Sequence, residues 1–119
     1  MSSQETIVEI SLNNLEHNLN FLKSNLSPKT MMMAVVKASA YGSDSVIISK
    51  YLEKKSIDYF AVAYCREGVY LRKAGIKTPI LVLHPQVDDF ENILNFNLEP
   101  SIYSFRTVSY THLTLPTIE

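Results

Sequence analysis

Lys37 closes an apolar run, and Tyr41 follows it four positions later in the segment MAVVKASAYGSDS. The lysine ends the stretch Met31 to Val36, which is typical of a buried strand. Partial burial of a lysine amine disfavours its charged form and makes it more nucleophilic, which suits a Schiff base with an aldehyde. The alternative is a lysine whose stem lies along apolar surface or whose ammonium pairs with a carboxylate.

A phenol and a potential anion site follow that lysine. The Tyr41 hydroxyl can reach the same pocket, and Gly42 permits a tight turn into the next helix. The N–H groups at that helix N-terminus could bind an anion such as a phosphate. An imine-forming lysine beside a phenol and a helix N-terminus favours a site for pyridoxal 5′-phosphate. The alternative for Tyr41 is an ordinary amphipathic tyrosine at the rim.

The elements that position these residues alternate between the periods of strands and helices. TIVEISL (Thr6 to Leu12) alternates apolar and polar residues and predicts a half-buried strand. Continuous apolar runs predict three further buried strands and a fourth core strand. These runs are MMMAVVK (31–37), DYFAVAY (58–64), TPILVL (78–83) and PSIYSF (100–105).

Helices are predicted between the strands. Leucines at 12, 15, 19, 22 and 26 share one helical face, with Ser11 as the N-cap. Asp44 or Ser43 can cap the next helix, and Gly75 ends the helix of REGVYLRKAG. The remaining apolar helical positions are Ile47, Ile48, Tyr51 and Leu52 in the second helix, and Phe90, Ile93 and Leu94 within 87–96.

Alternating strands and helices predict a parallel sheet that is covered on both faces. A doubly wound open sheet and part of a (β/α)₈ barrel both fit, and the pattern does not separate them. A whole barrel takes about 250 residues, so a chain of 119 holds about half of one. Ligands bind at the carboxyl ends of the strands in both architectures, which is where Lys37 lies.

Composition excludes several classes of protein. The chain is 46% apolar and 19% charged with a net charge of -1, which indicates a globular domain and neither a nucleic-acid nor a membrane partner. A single cysteine, Cys65, excludes an intramolecular disulfide. The polar N-terminus lacks the layout of a signal peptide, and no apolar run approaches the ~20 residues of a membrane span. We expect a cytoplasmic protein without a metal site.

The segment AVVKASAYGSDS resembles the pyridoxal-phosphate signature of alanine racemases, in which a strand ends in Lys-Ala-x-x-Tyr-Gly. The resemblance extends from Thr6 to Phe105, in the style of Bacteroidetes-like members. It includes an opening strand and helix, the second and third barrel strands, and the approach to the fourth strand. These are IVEISLNNLEHNLNFLKS, DYFAVAYCREGVYLRKAGIKTPILVL and NLEPSIYSF.

The resemblance implies a fold-type III enzyme that works as a homodimer, with an N-terminal (β/α)₈ barrel and a C-terminal β-domain. Lys37 matches the lysine that holds pyridoxal 5′-phosphate and acts as one of two acid/base groups on alanine. Tyr41 matches the tyrosine that hydrogen-bonds the cofactor phosphate. Val35 and Leu83 match apolar positions that line the cofactor, although plain core packing explains them equally well.

Residues 1–106 are thereby predicted to be a partial barrel of about four βα units, with an N-terminal strand that belongs to a missing β-domain. The parent enzyme would interconvert L- and D-alanine for peptidoglycan precursors. The family's second acid/base, a tyrosine of the C-terminal domain, has no counterpart here, so this fragment is expected to be inactive alone. Residues 107–119 are expected to be a non-family tail, artefactual or disordered. Their SYTHLTLPTIE resembles translated sequencing-adapter DNA, as if a truncated reading frame ran into foreign sequence.

Four residues depart from the family pattern or could face the site. Ser39 and Ser43 stand where the family commonly has Asn and His, and both are expected to tune the turn and the phosphate surroundings. His84 replaces a small residue and is expected to be an exposed loop histidine. Cys65 has no identifiable basic partner and is expected to be a buried structural thiol.

Three other functions stay open. One is a barrel that binds pyridoxal phosphate for homeostasis without catalysis, against which the opening VEISLNNLEHN argues. Another is a related racemase or decarboxylase acting on a different amino acid such as serine, although the Lys-Ala-x-x-Tyr-Gly form favours alanine racemase over the decarboxylases. The last is a non-enzymatic α/β module with an incidental lysine.

Overall fold

Two units make up the part of the chain that the computed structural model describes, which is residues 6–42 and 44–102. The chain divides between Thr30 and Met31 into a helical unit and a sheet-bearing unit. Ser43, the side chain of Tyr41 and the predicted tail 107–119 lie outside the described part. Among the described residues, none of the helices combines the length and the apolar character needed to cross a bilayer.

Helix α1 (Leu12–Ser24) is the regular element of the first unit. Ser11 caps it as predicted, since its hydroxyl oxygen accepts the Asn14 N–H at 3.2 Å. Of the predicted leucine face, Leu19 is buried, whereas Leu22 is exposed. The leucine spacing therefore located the helix correctly but overstated how much of its apolar face this chain buries.

The strand predicted at Thr6 to Leu12 is wrong for the described residues. Residues 6–11 adopt no regular structure, and the Ile7 and Val8 side chains are 77% and 67% exposed. A strand needs a neighbour to satisfy its backbone N–H and C=O groups. No described residue pairs with this segment, so its alternation produces no strand here. Its assignment to a second domain stays a prediction.

The second unit is a four-stranded parallel sheet with helical crossovers. Its elements are β1 (Met33–Val35), α2 (Lys37–Gly42), α3 (Ser45–Lys54), β2 (Tyr59–Val62), α4 (Cys65–Lys73), β3 (Ile80–Val82), a 3₁₀ turn (Val87–Asp89), α5 (Phe90–Asn95) and β4 (Glu99–Pro100). The strand order is β1-β2-β3-β4. A doubly wound sheet reverses its order at a switch point, whereas a barrel adds each strand beside the last. The sequential order therefore confirms the partial barrel.

The two faces of this sheet differ in burial. Phe60, Val62, Ile80 and Val82 lie on the face toward the helices and are fully buried. The opposite face, which we call the open face, carries Met33, Val35, Tyr59, Ala61 and Leu81 in register. Met33 and Val35 are 45% and 41% exposed. The prediction that both faces are covered is wrong here, because four strands cannot close around an interior that the opposite strands of a barrel would fill.

Each helix from α3 to α5 is followed, two positions after its last helical residue, by a residue in the left-handed backbone region. These residues are Ser56, Gly75 and Asn97, with φ of 64°, 100° and 52°. In each case the next residue donates its N–H back into the helix, from Ile57 to Leu52 O, from Ile76 to Leu71 O and from Leu98 to Ile93 O. This arrangement is a Schellman motif with a buried apolar residue behind it. It turns the chain sharply toward the next strand and confirms Gly75 as a helix end.

Some predicted helix faces are rotated. Asp44 caps α3 as predicted, but α3 buries Ser45, Ser49 and Leu52, and Ile47 is 45% exposed. The buried face of α3 therefore includes two serines that the apolar pattern does not predict. In α5 the predicted Phe90 and Ile93 are buried, whereas Leu94 is exposed. The fourth strand is β4, which begins one residue before the predicted 100–105.

Candidate functional site at the carboxyl rim

Lys37 follows β1 at the carboxyl ends of the strands. The Val36 N–H donates to Ala61 O at 2.9 Å, so the sheet ladder continues one residue past β1 and stops immediately before the lysine. Val36 is buried toward the helices, and the Lys37 side chain is half-buried. The amine is thus at the rim where parallel α/β barrels bind their ligands.

The backbone after Lys37 forms a left-handed turn without glycine. Ala38, Ser39 and Ala40 have φ of 50°, 54° and 55°, and the Ala40 N–H donates to Val36 O at 3.1 Å. This conformation costs L-residues roughly 1–2 kcal/mol each. Such strain persists where surrounding contacts impose it, and it concentrates at functional sites. We therefore interpret the left-handed conformation of α2 as one that the surrounding contacts impose at the carboxyl rim.

The Glu67 carboxylate, in the first turn of α4, is the contact that holds this turn. Its Oε2 accepts the Ala38 N–H at 2.7 Å. Its Oε1 accepts the N–H groups of Ala63 and Tyr64 at 2.8 and 2.9 Å. Sequence reasoning missed Glu67. The available signal was an acidic residue three positions after the end of the strand DYFAVAY, where a glutamate can bond back to the cap N–H.

The other predicted apolar site residues lie along the same rim. Val35 pairs with Ala61, and Ala61 pairs with Leu81 on the open face. The Leu83 N–H extends the ladder to Val62 O at 2.9 Å, so Leu83 falls two residues beyond Leu81 on that same face. The structure thus places Val35, Leu83 and Lys37 along one end of the sheet. The Tyr41 hydroxyl lies outside the described part.

At the N-terminus of the following helix, where an anion site is predicted, two of the N–H groups are already occupied. The Asp44 carboxylate already accepts the N–H groups of Val46 and Ile47, at 2.9 and 3.1 Å. A helix end that is capped by its own carboxylate has those donors occupied and a negative charge in place. A phosphate would therefore need donors other than these two N–H groups.

A cavity of about 260 Å³ lies behind the left-handed turn. It is lined by Val36, Ser39, Ser45, Arg66, Glu67, Tyr70 and Leu71. Ser39 of the turn lines this cavity, so the space lies beside the turn, between α2, α3 and α4. Hydrogen bonds of Glu67 and Val36 restrain the turn.

After β2, the exposed side chains of Tyr64 and His84 lie close together at the carboxyl rim. The rings of Tyr64 and His84 are 6.0 Å apart, and the Arg66 guanidinium is 4.7 Å from the Tyr64 ring. His84 is exposed, as expected of a loop histidine. Its backbone N–H donates to Ala63 O at 2.8 Å, which fixes its backbone to the second strand's loop.

Cys65 begins α4 and is only 2% exposed. Burial, with a smaller contribution from the Asp89 charge, raises the pKa of its thiol to about 11. A thiol with so high a pKa stays protonated near neutral pH and is a poor nucleophile. The expectation of a buried structural thiol is confirmed.

The residues at this rim fit pyridoxal 5′-phosphate in part. A half-buried primary amine can condense with its aldehyde, and the apolar side chains of Val35 and Leu83 suit a flat aromatic ring. Among the described residues, the helix end expected to hold a phosphate is occupied by Asp44. The chain thus offers a primary amine and apolar side chains at one rim, where such a cofactor could be held.

Comparison with known proteins gives a consistent result. The family model described as "Alanine racemase, N-terminal domain" matches residues 10–112. The chain is 38% identical over 105 residues to the alanine racemase of Geobacter sp. (strain M21), a match that covers 87% of this chain and 28% of that protein. It is 41% identical over 102 residues to the serine/alanine racemase of Enterococcus gallinarum, a match that covers 85% of this chain and 15% of that protein.

A solved structure agrees with the sequence relatives. The alanine racemase of Clostridium difficile 630 in complex with cycloserine superposes with a TM-score of 0.83 at 38% identity. That superposition covers 87% of this chain and 29% of the racemase. The chain thus spans less than a third of the length of these relatives. With its sequential parallel sheet and its matched N-terminal domain, the chain belongs to the alanine racemase family.

Proposed function

We propose that the protein containing this chain is a pyridoxal-phosphate-dependent racemase that interconverts L- and D-alanine. The observation that carries the proposal is the position of Lys37, half-buried at the carboxyl rim on a left-handed turn. Membership of the alanine racemase family supports the choice of reaction and substrate. Bound pyridoxal phosphate would withdraw electrons from the α-carbon of the amino acid, so that its α-proton becomes removable.

Each of the proposed site residues of this chain would have a separate role. Lys37 would hold the cofactor, and its amine would remove or return the α-proton on one face. Val35 and Leu83 would exclude water from the cofactor ring, and the Tyr41 hydroxyl would bind the phosphate. Racemisation needs a second base on the opposite face of the α-carbon. Among residues 6–42 and 44–102 we assign none, so the chain would be inactive alone.

The wider setting follows from the same reaction. D-alanine would supply peptidoglycan precursors, and the enzyme would act in the cytoplasm as a homodimer. We propose that residues 1–106 belong to the racemase barrel and that the non-family tail begins within 107–119, where the family match ends at residue 112. The Bacteroidetes-like character also stays a prediction.

Serine is the second candidate substrate. It is supported by the relative from Enterococcus gallinarum, which is named a serine/alanine racemase. A barrel that binds the cofactor without turnover is the remaining alternative. The three can be separated by locating the cofactor and by measuring which D-amino acids form.

The test is to express the complete open reading frame that encodes this chain, with pyridoxal phosphate, and to reduce it with borohydride. A modified Lys37 resists trypsin, so the adduct should appear in an uncut peptide of residues 30–50. Chiral chromatography then measures D-alanine and D-serine. An adduct on Lys37 with D-alanine formation supports the proposal. An adduct without turnover favours the non-catalytic barrel, and no adduct on Lys37 overturns the proposal.

A further inference from the structure

We infer that Glu67 is a positioning residue that sets the direction in which Lys37 leaves the sheet. This inference rests on the proposed function, since its consequence is the geometry of cofactor attachment. Glu67 is half-buried in α4, 30 positions along the chain from Lys37, and acts on it only through the backbone.

Lys37 is held on both sides by hydrogen bonds from its neighbours. On one side the Val36 N–H is fixed to Ala61 O in the sheet at 2.9 Å. On the other side the Ala38 N–H is fixed to Glu67 Oε2 at 2.7 Å. The peptide between Lys37 and Ala38 therefore has one orientation, and the lysine stem starts from a fixed point.

The carboxylate joins two loops because it uses both oxygens. Oε2 binds the loop after β1, while Oε1 binds Ala63 and Tyr64 in the loop after β2. Hydrogen bonds to a carboxylate are short and strong, as these distances of 2.7 to 2.9 Å indicate. Beside the turn lies the cavity of about 260 Å³, which Ser39 and Glu67 both line. Glu67 is thus the side chain that ties the strained segment to the loop after β2.

A glutamine at this position would break the bridge without changing its size. Its amide has one accepting oxygen, so it can serve the loop after β1 or the loop after β2, but not both. The amide NH₂ would face the remaining N–H groups, donor against donor. In Glu67→Gln the left-handed turn should therefore relax, and Lys37 should lose its fixed direction.

Glu53 offers a matched control at the other end of the sheet. It is also half-buried and also accepts three donors, the N–H groups of Lys77 and Thr78 and the Thr78 hydroxyl. All three use the same oxygen, Oε2. A glutamine can keep them with its carbonyl oxygen, so Glu53→Gln should leave the local structure intact.

The experiment compares wild type, Glu67→Gln and Glu53→Gln in the complete gene product loaded with pyridoxal phosphate. Cofactor release is followed by the loss of lysine-bound absorbance during dialysis. Amide hydrogen exchange of the 36–42 segment is followed in the cofactor-free protein. We expect Glu67→Gln to release cofactor about tenfold faster or more, and to exchange the Ala38 amide faster. Glu53→Gln should stay within about twofold of wild type in both measurements.

The outcomes separate the inference from the proposed function. Wild type without an adduct on Lys37 overturns the proposed function, and the role inferred for Glu67 falls with it. Wild type with that adduct, and a Glu67→Gln variant that matches Glu53→Gln, overturns the inference alone. If Glu67→Gln does not fold, Glu67→Asp takes its place, since it keeps both oxygens but is one methylene too short to span the loops.

Discussion

The two rims of the sheet are stabilised in different ways. At the amino rim, where the strands begin, the charged side chains of Arg72, Glu53 and Asp58 bind backbone groups. The Asp58 Oδ2, for example, accepts the Met32 N–H at 2.7 Å. At the carboxyl rim, Asp44 and Asp89 accept N–H groups only within three residues of themselves, and Glu67 is the described side chain that joins two loops. The amino rim thus has several long-range restraints, whereas the carboxyl rim has a strained segment with one. This division is the one that barrel enzymes show between stability and chemistry.

Arg72 is the centre of the amino rim. Its guanidinium donates to the carbonyl oxygens of Ile76, Thr78, Phe96 and Asn97, at 2.7 to 3.0 Å. Those carbonyls belong to the approach to β3 and to the end of α5. One side chain therefore joins two successive helix-to-strand connections, which is possible because a guanidinium has several donors in a fixed plane.

Lys37→Ala should have the largest effect, and it should affect chemistry only. The variant removes the proposed attachment point, so the borohydride adduct should disappear completely. The unfolding free energy should change by no more than about 0.5 kcal/mol, because the side chain is only half-buried. Peptide mass spectrometry and urea unfolding measure the two effects. An adduct that persists on another lysine would contradict this assignment.

Arg72→Ala should reduce the stability of the fold and leave the adduct on Lys37 unchanged. Losing the guanidinium leaves four carbonyl oxygens without this partner, and three of the lost bonds, to Ile76, Thr78 and Phe96, are part-buried. We expect a loss of roughly 2–4 kcal/mol in unfolding free energy, with the adduct on Lys37 retained in the folded fraction. Urea unfolding measures it.

Arg72→Lys is the matched variant. An ammonium is a compact donor that cannot span the same fork, so it should recover less than half of the loss. Full recovery by lysine would mean that charge alone matters at the amino rim, and would remove the contrast between the rims.

Much of this arrangement was predictable because it is local. Caps such as Ser11 and Asp44, the helix end at Gly75 and the strand runs depend on residues within one turn of each other. The position of Lys37 at the carboxyl rim was predictable because a charged residue at the end of an apolar run marks the end of a strand.

The remainder depends on tertiary contacts. Glu67 and Arg72 bind backbone groups 24 to 29 positions away. The position of Glu67 in the first turn of α4 signals only its local bonds to Ala63 and Tyr64, and not its bond to Ala38. The left-handed turn was hidden because Ala38, Ser39 and Ala40 include no glycine to signal it. The exposed face with Met33 and Val35 was missed because strand runs do not reveal whether the rest of a barrel is present.

Glu53 predicts how the amino rim responds to acid. Burial by itself raises the pKa of its carboxyl group, but the Thr78 N–H and hydroxyl, the Lys77 N–H and the Arg72 charge together outweigh this and lower the pKa. A carboxyl group whose pKa is lower in the folded state stabilises the fold at pH values above its ordinary pKa of 4.5. This contribution is lost as the pH falls through the folded-state pKa. Urea unfolding below pH 4.5 should therefore show a flatter acid loss in Glu53→Gln than in wild type. An equal slope in both proteins would assign the acid sensitivity to other carboxylates.

The smallest effects should come from the helix ends that lead into the amino rim. Gly75 has φ of 100°, and no other residue outside its chain neighbours has a heavy atom within 4 Å of the point where an alanine Cβ would stand. Gly75→Ala should therefore lower the unfolding free energy by about 1 kcal/mol, because of backbone strain and not because of a clash. Ser56 occupies the equivalent position, with φ of 64°. Ser56→Gly should raise the unfolding free energy by about 0.5 kcal/mol at most, because the relief of strain is offset by the greater freedom of the unfolded chain. Thermal or urea unfolding measures both. If either change matched Arg72→Ala in size, turn geometry and not the guanidinium would be what holds the amino rim together.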